Sequence, residues 1–125
     1  MNTTESCSCA AAPTLIFACS GAADVGEISD RAARHLTQAG HGKMYCLAGV
    51  GGRVPNILAT VATARKLLVI DGCATACGKR SLEQAGFTRF EHFTLPALGL
   101  NKGSSAVTPE NIQTVVSHAV QKLNA

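Results

Sequence analysis

Apolar and polar residues alternate along the chain in blocks that switch between two periods. Thr14 to Ala18 is a short apolar run, as a buried strand requires. Cys19 to Ala23 is a small-residue turn. From Asp24 to Ala39 the apolar positions Val25, Ile28, Ala32, Leu36 and Ala39 keep helical spacing, with Asp24 as N-cap, Glu27 three residues on and Gly40 as the stop. Lys43 to Leu47 is a second, more polar strand. It runs into a glycine-rich loop, Ala48 to Gly52. Pro55 opens a second helix ending near Ala64. Leu67 to Ile70 is the most apolar strand. The segment Asp71 to Cys77 leads into a third helix that ends at Gly86. Phe87 to Leu95 alternates, as a half-exposed edge strand does. A long loop, Leu95 to Val107, follows, either a lid over the sheet edge or a plain connector. Thr108 caps the last helix with Pro109 in its first turn, and Ile112, Val115, Val116, Ala119, Val120 and Leu123 form its apolar stripe.

Strands alternating with helices predict an α/β fold: a single Rossmann-like or flavodoxin-like three-layer domain over residues 14–125, with a mainly parallel four-stranded sheet. The first and third strands are uniformly apolar and belong at the centre. Right-handed crossovers then give the strand order 2-1-3-4. Ligands of such sheets bind beyond the carboxyl ends of the strands, where the first and third lie side by side. Residues 1–13 read as a flexible arm carrying Cys7 and Cys9.

Composition narrows the function. Eleven basic and eight acidic residues are scattered along 125 positions, so no basic stripe offers itself to nucleic acid. No run approaches the ~20 apolar residues of a membrane span, and the first basic residue is Arg31, which argues against a secretory leader. A cytoplasmic protein without a membrane partner is expected. A chain able to bury its own core does not need three disulfides, so six cysteines in a reducing compartment point to a metal or to redox chemistry.

The predicted topology gives four of these cysteines one address. Cys19 follows the first strand, Cys46 lies near the end of the second, and Cys73 and Cys77 follow the third. Thiolates select Zn²⁺, Cu(I) or iron–sulfur clusters. Four of them fit a closed tetrahedral Zn²⁺ site with bonds near ~2.3 Å. One Zn²⁺ per chain is therefore expected on Cys19, Cys46, Cys73 and Cys77, with an iron–sulfur cluster as the alternative. The positive ends of the first three helices offset the thiolate charge. Asp71, Ser20 and Lys79 stand beside the ligand-bearing turns, Asp71 as a hydrogen-bonding support, a base or a helix cap. Cys7 and Cys9 read either as auxiliary thiols that capture metal or pair with each other, or as incidental cysteines of the arm.

Three stretches, Cys19-Ser-Gly-Ala-Ala-Asp-Val-Gly, Cys46-Leu-Ala-Gly-Val-Gly-Gly and Asp71-Gly-Cys-Ala-Thr-Ala-Cys, resemble the DGC domain family, named for its Asp-Gly-Cys motif. The resemblance covers Thr14 to about Leu123. It implies a zinc-binding protein in which the same four cysteines are the ligands. It does not imply a reaction.

Other chemistries fail on spacing. A phosphatase-type cysteine loop needs its arginine closer than Arg53 to Cys46 or Arg80 to Cys73, each seven residues away. There is no nucleotide P-loop, and the glycines after Cys46 lack the third member of a dinucleotide fingerprint. His35, His41, His92 and His118 show no ligand spacing and read as surface residues. Two classes stay open: metal sensing, storage or delivery, and a thiol- or metal-dependent enzyme using the same cysteines.

Overall fold

A computed structural model describes residues 12–125; Cys7 and Cys9, with the rest of residues 1–11 of the arm, lie outside the described residues. The elements are β1 (Thr14–Ala18), α1 (Asp24–Gln38), β2 (Lys43–Met44), α2 (Leu47–Gly51), α3 (Pro55–Ala62), β3 (Lys66–Asp71), α4 (Cys77–Gln84), β4 (Glu91–Thr94), a 3₁₀ turn (Leu95–Leu98) and α5 (Pro109–Asn124). All strand pairs are parallel and the sheet order is β2-β1-β3-β4, as the crossover argument requires.

Helices cover both faces. On one face Ile16, Ala18, Leu68 and Ile70 pack against Val25, Ile28, Ala32 and Leu36 of α1 and Ile112, Val115 and Ala119 of α5. On the other, Leu15, Phe17, Leu67 and Val69 meet Val50 of α2, Val61 of α3 and Leu82 of α4. Burial of both faces explains why β1 and β3 read as unbroken apolar runs. Each fully buried Leu, Ile or Phe contributes roughly 1.5–3 kcal/mol, so these two strands are driven to the centre.

Three details depart from the sequence reading. First, Ala23, not Asp24, is the N-cap of α1, and Ala23 makes no side-chain cap. The Asp24 carboxylate instead accepts the Val25 N–H and two N–H groups from the distant loop, described below. Second, β2 stops at Met44, and residues 47–51 form the short helix α2 rather than a loop. Cys46 leaves the strand to cap α2, its sulfur accepting the Gly49 N–H at 3.2 Å. Third, β4 is only Glu91–Thr94. Thr108 and Pro109 start α5 as expected, the Thr108 hydroxyl accepting the Asn111 N–H at 3.2 Å. Among the described residues, no helix is long and apolar enough to cross a membrane.

Candidate metal and ligand site

The carboxyl ends of β1 and β3 are locked together beyond the strands themselves. Pairing runs from Thr14↔Lys66 to Ala18↔Ile70, and the Cys19 N–H then donates to the Ile70 carbonyl at 3.0 Å. The Cys19 carbonyl is held from α1 by the Ser29 hydroxyl at 2.6 Å. Two glycines bring the turns within touching distance. A Cβ on Gly72 would stand 2.9 Å from the Val25 backbone, and one on Gly26 would stand 2.5 Å from the Gly21 carbonyl oxygen. Only hydrogen fits at either place, so the Cys19 turn, the start of α1 and the Asp-Gly-Cys turn pack backbone to backbone.

The segment Cys73 to Cys77 is one tight turn. The Ala76 N–H returns to the Cys73 carbonyl at 3.1 Å, and the Arg80 guanidinium holds the Thr75 carbonyl at 3.0 Å. Ala76 itself is left-handed, at φ 55, an arrangement that costs a non-glycine residue about 1–2 kcal/mol. Cys77 follows as the first residue of α4.

Asp71 anchors that helix from the strand. It is fully buried, and its carboxylate accepts the Gly78 N–H at 2.8 Å and the Lys79 N–H at 3.1 Å. These are first-turn donors of α4 that have no partner within the helix. Of the roles open to Asp71, helix capping is the one these bonds display. Lys79 contributes its backbone N–H to this contact. Ser20 points elsewhere, its hydroxyl donating to Asp30 at 2.7 Å.

His92 is the member that the sequence reading missed. Its Nε2 lies 2.9 Å from Oδ2 of Asp71, and the side chain is 20% exposed. A histidine on an alternating edge strand looks like a surface residue. The available signal was that alternation puts it on the same side of the chain as Phe90, which lies just before β4 and whose ring it meets edge to face.

The four predicted cysteines divide three and one. Cys19, Cys73 and Cys77 line one cleft of about 530 Å³ between the β1 and β3 turns. Cys46 lines an adjacent cleft of about 560 Å³ with Ser20, Tyr45 and Ser81. Among the described residues, no three His, Cys, Asp or Glu side chains stand close enough together to hold a metal ion.

The thiols differ electrically. Burial pushes the Cys19 thiol up, while the backbone N–H groups of Gly21 and Gly72 pull against that rise. The Thr75 hydroxyl and then its backbone N–H hold the Cys73 thiol below its ordinary range, and Lys102 adds to this. Lys102 reaches the cleft from the loop after β4. That loop is fastened to α1: the Asp24 carboxylate accepts the Gly103 N–H at 3.0 Å and the Ser105 N–H at 3.1 Å. These bonds lower the Asp24 pKa.

Comparison with known proteins relates the chain to a family. The DGC domain family model matches residues 15–119. The anaerobic and virulence modulator AnvM of Pseudomonas aeruginosa is 36% identical over 88 residues, covering 70% of this chain and 67% of that protein. No solved structure matches.

Proposed function

The chain belongs to the DGC domain family, and from that premise we propose that it binds a thiophilic metal ion of the Zn²⁺ class at the carboxyl edge of its sheet. The observation that carries this reading is the convergence of Cys19, Cys73 and Cys77, from two separate turns, on one cleft. The donor chemistry fits: thiolates select Zn²⁺ and similar ions. Cys19, Cys46 and Cys73 also each face backbone N–H groups, which offset thiolate charge. The resting spacing does not yet form a tetrahedral cage, so occupancy requires the thiols to close in. Cys46 has to cross from the neighbouring cleft, and it sits between a two-residue strand and a five-residue helix. Bound Zn²⁺ would supply a fixed positive charge and, if a position stays open, Lewis acidity.

Sensing or delivery is favoured over storage or catalysis by the relative's name, which describes a modulator. The test is metal content of protein purified without added zinc. About one equivalent per chain is expected, falling when Cys19 or Cys73 is replaced by serine. Less than about a tenth of an equivalent, with every thiol freely titratable in the folded protein, overturns the reading. Visible absorption of anaerobically prepared protein would instead identify an iron–sulfur cluster.

A thiol-dependent enzyme is the second reading, and the partial exposure of Cys73 and the downward pull of Thr75 on its thiol favour it. Alkylation of a single cysteine in the metal-loaded protein would support it; full protection of all four would exclude it.

A further inference from the structure

We infer that the cleft beside the three thiols is also a binding site for a small organic anion with a compact apolar body. The inference goes beyond the metal reading and does not depend on it. An ion fills little more space than a water molecule, yet the cleft measures about 530 Å³. That volume lies within the ~300–1,000 Å³ of small-molecule sites. The cleft also lies beyond the carboxyl ends of β1 and β3, where open parallel sheets take their ligands.

Its walls specify the ligand. Apart from the thiols they are almost wholly small and apolar: Ala22, Ala23, Gly26 and Gly72 present methyl groups and backbone. The wall is rigid, because Gly26 and Gly72 are pressed against neighbouring backbone with no room for a Cβ. A polar or bulky ligand would find few partners there. Among the lining residues Lys102 is the single charged side chain, and no carboxylate lines the cleft. Among the described residues no carboxylate lies within ion-pair distance of Lys102. Its position is nevertheless not left to a free loop. The Asp24 carboxylate grips the backbone on its far side at Gly103 and Ser105, fastening the loop to the start of α1. A cation held at the mouth of an apolar cleft recognises one negative group on an otherwise apolar molecule.

Benzoate and its uncharged isostere benzamide serve as probes, titrated into reduced, metal-free protein and followed by amide NMR shifts. Benzoate is expected to move the Gly21, Gly26, Gly72 and Lys102 amides saturably and to bind more tightly than benzamide, by up to about fivefold for one partly exposed charge pair. K102Q, a change at an exposed position, is expected to abolish that preference, and K102R to keep it. Ala22→Phe, which fills the cleft without touching a charge, is expected to weaken both probes. Equal binding of the two probes, an unchanged preference in K102Q, shifts confined to another surface, or unaltered binding in Ala22→Phe would each overturn the proposal. Because the protein is metal-free, a failed zinc assay and a failed benzoate titration are separate results.

Discussion

Replacing Asp71 by alanine removes the acceptor for three donors at once: the Gly78 N–H at 2.8 Å, the Lys79 N–H at 3.1 Å and Nε2 of His92 at 2.9 Å. The carboxylate and the Gly78 N–H are fully buried, whereas Lys79 and His92 are partly exposed and can turn to water. Each buried donor left unsatisfied costs about 1–3 kcal/mol. The two backbone donors also belong to the first turn of α4, where losing a cap alone costs ~1 kcal/mol. The full penalty falls on the buried Gly78 N–H and the costs are not additive, so the expected loss is roughly 2–4 kcal/mol. That is a large share of the ~5–15 kcal/mol that holds a domain together. Urea denaturation of reduced, metal-free protein, followed by far-ultraviolet circular dichroism, measures it. Asp71→Asn keeps one acceptor oxygen and is expected to lose less. His92→Phe removes only the outermost donor and is expected to cost about 1 kcal/mol. If Asp71→Ala lies within about 1 kcal/mol of the parent, the buried carboxylate is not what holds α4, and the capping argument fails.

Three further outcomes follow from the geometry. Gly72→Ala forces a Cβ to 2.9 Å from the Val25 backbone and is expected to cost about 1–3 kcal/mol, whereas Gly21→Ala, with nothing within 4 Å, should stay within about 0.5 kcal/mol; equal urea midpoints would refute the close-packing account. In metal-free protein, Cys73 is expected to react first and Cys19 last with iodoacetamide at neutral pH, because the thiolate is the nucleophile and their pKa values move down and up respectively; mass spectrometry of timed samples reads the order, and Thr75→Val should slow Cys73. The Asp24 pKa is depressed in the folded state, so the loop fastening is fully present above the ordinary carboxylate value and is lost as pH falls through the lower folded value; the Gly103 and Ser105 amide shifts should therefore titrate with a midpoint below ~3.9, and a midpoint at or above it would contradict the contact.

The central architecture was legible because it rests on burial of both faces of a strand. Leu15 to Ala18 and Leu67 to Ile70 have no polar residue to place in water, so they must be inner strands, and the crossover rule does the rest. Local signals misled where tertiary contacts outweigh them. Asp24 has the chemistry of an N-cap, but the Gly103 and Ser105 amides, 79 and 81 residues away, claim its carboxylate. Lys43 to Leu47 has strand composition, yet only Lys43 and Met44 pair with β1. The glycines at 49 and 51 suggested a turn, but Gly49 is buried in α2, where a Cβ would meet the Ile57 side chain at 2.9 Å. The candidate site followed the same division. Topology is enough to gather Cys19, Cys73 and Cys77, since strand order alone puts their turns side by side. It could not show that Cys46 would turn away to cap α2, nor that His92 reaches a buried carboxylate 21 residues earlier in the chain.

The contrast between the centre and the edge of the sheet has a kinetic meaning. β1 and β3 pair over five residues at the centre, while β2 contributes two at the rim. The middle of such a sheet opens only with the whole molecule, and its edge opens locally at far lower free energy. An occupant resting on the β1 and β3 turns would therefore slow exchange of the core amides that open only with the whole molecule, because its binding energy is added to global unfolding. A contact made through Cys46 protects the β2–α2 segment and little else. Under the proposed function, the thiols would then offer one anchorage as durable as the fold and another that can let go while the fold persists.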